Sequence, residues 1–222
     1  MLSNVVKVKR VKPPRLIVYD LDGTLVDSAS VVVSILNEMR IELGKKPLSK
    51  DVFYPWLSLG GEDLVGNGLG VSQNNVSSYL TEFRVRYLKL PTHSDCVYDG
   101  VFESLDYLKK ANFFIALCTN KPRSLTEKVL VESGLKDYFQ FIVAGGDLPN
   151  KKPNSSNLIS CLNYFDVNSG ETVLVGDSKI DQKLASNLNV PFIFYPHGYN
   201  DGVDVEFTYS RLEKHTDIIN LF

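Results

Sequence analysis

The chain has 222 residues and a formal net charge of −2. That length supports a substantial core, as one domain or a domain with an insert, and the near-neutral charge gives no reason to invoke nucleic acid or a membrane surface. Cys96, Cys118 and Cys161 are scattered without metal-ligand spacing, which argues against a disulfide framework and a zinc site. No stretch approaches the ~20 apolar residues of a membrane span, and the N-terminus lacks an apolar signal core, so the sequence reads as cytoplasmic.

In chain order, residues 1–14 form a basic arm. Its cluster of Lys7, Lys9, Arg10, Lys12 and Arg15, broken by Pro13-Pro14, reads as a solvated lead-in to the first core strand. The apolar run Leu16-Ile17-Val18-Tyr19 predicts a buried strand and leads into Asp20-Leu21-Asp22-Gly23-Thr24-Leu25. From Ser28 to Ser94 the text turns helical. Val32, Ile35, Leu36 and Met39 mark one helix, ended by Gly44, and Leu80, Phe83, Tyr87 and Leu88 mark another that stops before Pro91. Between them Tyr54 to Gly61 reads as a loop rich in turn residues and aromatics.

After Cys96 strands and helices alternate. Helices are expected over Val101–Ala111, Pro122–Ser133, Asn154–Tyr164 and Lys179–Leu188, and strands over Phe114–Cys118, Phe141–Val143, Val173–Val175 and Pro191–Phe194. Repeated βα units with short loops predict an α/β fold, a Rossmann-like, doubly wound parallel sheet with right-handed crossovers. The expected division is a core of residues 1–27 and 95–222, with residues 28–94 as a small inserted α-helical cap and hinges near Asp27–Ser30 and Pro91–Val97.

The chemistry gathers at strand ends. Side chains alternate along a strand, so Asp20 and Asp22 start on one side, and Gly23 lets the backbone turn. Two converging carboxylates repel unless a cation or shared proton relieves them, which suits a hard metal ion with oxygen ligands and a carboxylate free to attack an electrophile. Thr119-Asn120 ends a second strand just before a helix, where a hydroxyl and main-chain N–H groups make a phosphate site or, more blandly, an N-cap. Lys151-Lys152-Pro153 follows a third strand, and Gly176-Asp177 ends a fourth, with Asp181 one helical turn on. In a parallel sheet such ends face one crevice.

This set, Asp20-x-Asp22-Gly-Thr, Thr119, Lys152-Pro153 and Gly176-Asp177-x-x-x-Asp181, resembles the four ordered motifs of the haloacid dehalogenase superfamily, over about Arg15 to Asn200. It is most similar to the phosphoglycolate phosphatase group, by Asp27-Ser28, Val65-Gly66-Asn67-Gly68 and the segment from Tyr195 to Asn200. Tyr98-Asp99-Gly100-Val101 departs from the proline that such relatives often carry there. The resemblance implies a Mg2+-dependent phosphatase acting on a small phosphomonoester through an aspartyl-phosphate. It makes Asp20 the nucleophile and Asp22 the general acid and base, with Thr119, Asn120, Gly23 and Lys152 at the phosphoryl group. The metal set is Asp20, Asp22 through its main-chain carbonyl, Asp177 and Asp181.

Lys152 is preferred to Lys151 because the residue before proline is held extended and well aimed. Asp181 is expected to orient a metal-bound water or to pair with Lys152. The segment from Trp56 to Gly61, with Glu62, is a candidate lid; the three histidines stay outside the mechanism. A phosphosugar mutase would use the same residues. A catalytically silent binding domain is the reading from another class, disfavoured because every catalytic position is filled. A small phosphorylated molecule is the partner implied, with no nucleic acid and no membrane; the oligomeric state stays open.

Overall fold

The computed structural model describes residues 14–92, 94–199 and 201–222. The basic arm up to Pro13, together with His93, therefore lies outside the described residues. Arg15, the last of the basic cluster, pairs with Glu171 at 3.6 Å.

Six parallel strands form one sheet in the order β3-β2-β1-β4-β5-β6: β1 (Leu16–Tyr19), β2 (Phe114–Pro122), β3 (Phe141–Gly145), β4 (Thr172–Gly176), β5 (Phe192–Phe194) and β6 (Ser210–Arg211). Every residue of β1 is buried, as a central strand covered on both faces requires. Alternate side chains serve opposite faces. Ile17, Tyr19, Ile115, Leu117, Val173 and Val175 pack beneath α5 (Val101–Lys110) and α6 (Arg123–Glu132). Leu16, Val18, Ala116, Cys118 and Leu174 pack beneath α7 (Ser156–Phe165) and α8 (Lys179–Ser186). Tyr19 is level with Leu117 on one side and Val175 on the other, so the chain leaves β1, β2 and β4 at one edge. The order reverses between β1 and β4, which puts the topological switch point there.

Four helices are inserted between β1 and α5: α1 (Ala29–Glu42), α2 (Lys50–Leu57), α3 (Gly61–Leu69) and α4 (Gln73–Lys89). In α1 the expected stripe of Val32, Ile35, Leu36 and Met39 is buried. In α4 Leu80, Phe83 and Tyr87 are buried, but Leu88 is 45% exposed and lies off the stripe. The segment read as a loop is helical as far as Leu57, and a further helix begins at Gly61. Pro55 sits inside α2, where it removes one donor, and burial of Phe53 and Leu57 on one face outweighs that loss. Gly68 lets α3 close on its neighbours, since a Cβ there would lie 3.0 Å from Leu36 and 3.2 Å from Phe53.

The two crossings between core and insert are tied together. Asp27 N–H donates to the Cys96 carbonyl at 2.7 Å, and Tyr98 N–H to the Leu25 carbonyl at 3.0 Å. Among the described residues no helix is long and apolar enough to cross a membrane.

Candidate active site

Asp20 follows β1 and extends its ladder, its N–H donating to the Val175 carbonyl at 3.0 Å. Its Oδ1 accepts from Leu21 N–H at 2.7 Å and pairs with Lys152 Nζ at 2.8 Å. Asp177 follows β4; its Oδ1 accepts from the Thr24 hydroxyl at 2.9 Å and its Oδ2 from Tyr199 N–H at 2.7 Å. Asp181, in the first turn of α8, is fully buried, accepts from the Ser178 hydroxyl and pairs with Lys152 Nζ at 2.7 Å. Asp20, Asp177 and Asp181 each offer an oxygen within 4.8 Å of the others.

Burial, then the charge of Asp181, pushes the Asp20 carboxyl up to about 7 against the pull of Lys152. Burial, then the charges of Asp181 and Asp20, hold Asp177 well above the usual carboxylate range. Burial opposes the charge on Lys152, but Asp181 and Asp20 overcome it and hold the ammonium protonated above its ordinary range. Three buried carboxylates against one ammonium are short of positive charge. An oxygen-only donor set that a divalent cation would neutralise fits magnesium.

Gly23 serves this packing by having no side chain. It turns with φ of 81°, and a Cβ there would fall inside the Asp177 carboxylate. Its N–H donates to the Val26 carbonyl at 2.8 Å, a different use from the phosphate contact expected of it.

Asp22 is directed elsewhere. Its carboxylate lies outside the three-acid cluster and accepts from Lys121 Nζ at 3.0 and 3.2 Å and from the Ser28 hydroxyl at 2.6 Å. Ser28 also meets the Tyr199 hydroxyl at 3.0 Å. Burial opposes the charge on Lys121, yet Asp22 holds it protonated above the usual lysine range.

Thr119 is buried and lines the cavity, with its hydroxyl accepting Lys121 N–H at 3.2 Å. It is no N-cap: β2 runs on past a register shift and α6 starts only at Arg123. Asn120 spends its side chain on the main chain of Lys152, accepting from its N–H at 2.8 Å and donating to its carbonyl at 3.3 Å. It holds the lysine loop in place, a different use from the phosphate contact expected. Lys151 is exposed but reaches the insert, pairing with Asp63 at 2.8 Å and donating to the Leu59 carbonyl at 3.1 Å.

The cavity over these groups opens about 70 Å³ to the centre of a water-sized sphere. Asp20, Asp22, Thr119 and Lys152 line its floor, and Val32, Leu57, Leu64, Leu80, Phe83 and Arg84 come from the insert. Trp56 is not in the lining; it packs edge-on against Phe53 at 5.9 Å. His197 pairs with Glu213 on the surface, and His215 is buried against Tyr195.

Sequence reasoning left Lys121, Ser28, Tyr87, Arg84 and Tyr199 without roles. A signal for Lys121 was present: like Lys152 it directly precedes a proline at a strand end.

Fold and site together define a hydrolase class. The chain belongs to the haloacid dehalogenase-like hydrolases, whose family model matches residues 17–195. It is 30% identical over 200 residues to a phosphoglycolate phosphatase of Pseudomonas putida, covering 87% of this chain and 73% of that one. It is 32% identical over 200 residues to a phosphoglycolate phosphatase of Psychrobacter arcticus, covering 86% and 87%. A crystal structure described as a predicted phosphoglycolate phosphatase from Haemophilus somnus superposes with a TM-score of 0.85 at 22% identity, covering 94% of this chain and 97% of that one. Within the family the chain is phosphoglycolate phosphatase-like, a phosphoric monoester hydrolase.

Proposed function

We propose that the chain is a magnesium-dependent phosphatase that cleaves a small phosphomonoester through an aspartyl-phosphate on Asp20, with phosphoglycolate as substrate. The observation that carries this reading is the placement of Asp20, Lys152 and Asp22 on one cavity floor, with the two carboxylates held by different lysines.

Magnesium, bound by Asp20, the Asp22 carbonyl and Asp177 with Asp181 beside it, would neutralise charge on the phosphoryl oxygens. Lys152 and the Thr119 hydroxyl hold the phosphoryl group, and Lys152 offsets its charge against that of Asp20. Both protein contacts of Asp20 fall on Oδ1, which leaves Oδ2 available for attack. The Asp20 oxygen bonds to phosphorus, the ester P–O bond breaks, and the departing alkoxide takes the proton of Asp22. The Asp22 carboxylate then takes a proton from water, whose oxygen attacks phosphorus and releases inorganic phosphate, restoring both aspartates. Residues 28–94 act as a cap that excludes bulk water from these steps.

Lys121 and Lys152 are both already paired with aspartates of the site. A substrate carboxylate then needs a further cation. Arg84 lines the cavity and has no carboxylate partner among the described residues. That supports phosphoglycolate over an uncharged alcohol phosphate, and a small metabolite fits the cytoplasmic setting expected from the sequence.

The test is phosphate release from phosphoglycolate, a small sugar phosphate, a nucleotide and p-nitrophenyl phosphate, with and without magnesium, for wild type and Asp20→Asn. Magnesium-dependent release that falls by roughly 10⁴-fold in the variant is the expected result. No release from any ester by folded, magnesium-loaded protein overturns the phosphatase reading and favours a mutase or a binding role.

A further inference from the structure

We propose that Lys121, together with Tyr87 of the cap, is a positioning residue that aims Asp22 at the leaving oxygen, so that proton delivery depends on the cap being seated. The inference rests on the phosphatase reading above.

Lys121 sits at the end of β2 and is only 8% exposed. A buried ammonium is costly unless it is paired, and this one has two partners of different origin. One is Asp22, gripped through both oxygens at 3.0 and 3.2 Å, which fixes the plane of the carboxylate as a single contact would not. The other is the ring of Tyr87, whose centroid lies 4.4 Å from Nζ. Tyr87 belongs to α4, and its ring face attracts the cation electrostatically. One ammonium therefore joins the catalytic loop, strand β2 and the cap. Withdrawal of α4 would replace the ring by water, and the higher dielectric would weaken the hold of Lys121 on Asp22.

The arrangement matters most where a proton must move. As Asp22 gives its proton to the leaving oxygen, negative charge develops on its carboxylate, and Lys121 is placed to stabilise that charge. An alkoxide such as that from phosphoglycolate needs the proton in order to leave. The p-nitrophenolate ion leaves without one. A residue that aims and supports Asp22 must therefore affect formation of the aspartyl-phosphate unequally from the two esters, whereas its hydrolysis is common to both, and a residue that only maintains the fold depresses both esters alike in either step.

The experiment measures kcat and KM for phosphoglycolate and for p-nitrophenyl phosphate at saturating magnesium. Wild type is compared with Lys121→Met, Lys121→Arg, Tyr87→Leu and Tyr87→Phe, each checked for folding by thermal melting. Lys121→Met is expected to lower kcat/KM, which reports formation of the aspartyl-phosphate and not its hydrolysis, about tenfold more on phosphoglycolate than on p-nitrophenyl phosphate, with Lys121→Arg recovering part of the difference. Tyr87→Leu should shift the ratio the same way by a smaller factor, and Tyr87→Phe, which keeps the ring, should hold the wild-type ratio. If Lys121→Met does not fold, the two Tyr87 variants carry the test. Equal losses on both esters, or Tyr87→Phe behaving like Tyr87→Leu, overturn the proposal alone. Wild type hydrolysing no ester of the panel above overturns the phosphatase reading and this inference with it; if another alkyl ester of that panel is the better substrate, it takes the place of phosphoglycolate in the same comparison.

Discussion

Two lysines stand directly before prolines, Lys121-Pro122 and Lys152-Pro153, and each ends buried against an aspartate of the same hexapeptide, Asp22 and Asp20 respectively. The extended conformation imposed on a residue before proline makes both well-aimed cations, yet only Lys152 is separable from its neighbour by that rule. Lys121 stays unread in the sequence because it is not among the residues that carry the family resemblance, and only the folded chain brings it against Asp22. Removing Lys152 leaves two buried carboxylates without their cation. Lys152→Met should therefore abolish turnover and, in metal-free protein, change the denaturation midpoint, because Asp20 and Asp181 both lose their partner. Arg84 makes a different prediction. If its guanidinium receives a substrate carboxylate, Arg84→Met should raise KM for phosphoglycolate by roughly tenfold, the equivalent of one charge-assisted hydrogen bond, and change KM for p-nitrophenyl phosphate far less. An equal change in both KM values refutes the assignment.

Elements were legible where periodicity and burial agree. The α1 stripe is explicit in the sequence, as is the run of β1, because each is packed against the core along its length. The exceptions have particular causes. Leu88 lies four residues past Arg84 and one past Tyr87, which turns it away from the buried face of α4, although it is as apolar as its neighbours. The helix around Pro55 is decided by packing of Phe53 and Leu57, which local turn propensity does not register. Strand β6 has only Ser210 and Arg211, and it forms because Ile193 and Phe194 of β5 leave an edge to pair with. The helical insert depends on close approach at Gly68. Gly68→Val should force Leu36 and Phe53 apart and cost about 1–3 kcal/mol in urea unfolding, since overpacked contacts relax only in part. An unchanged midpoint would mean the insert is looser than its packing indicates.

At the scale of the whole molecule, two buried titrating sites set how stability responds to solution conditions. The three-acid cluster is short of one cation, so magnesium should raise the melting temperature, and Asp177→Asn should remove most of that gain. His215 acts with pH. Burial lowers its imidazole to about 4, and neither ring nitrogen has a hydrogen-bond partner in the packing around Tyr195 and Tyr98. The folded state thus favours the neutral ring. Above the unfolded value near 6.5 neither state binds the proton and His215 has no effect; as pH falls from there towards 4 the unfolded state alone gains it, and stability is lost. The loss approaches about 3 kcal/mol by pH 4. Magnesium-saturated wild type should lose more stability than His215→Phe between pH 7 and 4.5, and parallel pH curves would show that the ring is not sealed.

The sequence by itself determined five of the six sheet strands, the helical run that follows the first of them and the four ordered motifs, because each is written in consecutive residues that obey a local rule of burial, turning or spacing. Tertiary structure alone decided which side chains share a partner. The Asp22 carboxylate is held by Lys121 and Ser28, Asn120 is spent on the Lys152 loop, and Gly23 is a clearance for Asp177. Those assignments are matters of distance between segments 6 to more than 150 residues apart, where electrostatic pairing and steric exclusion act only once the sheet has brought the strand ends together.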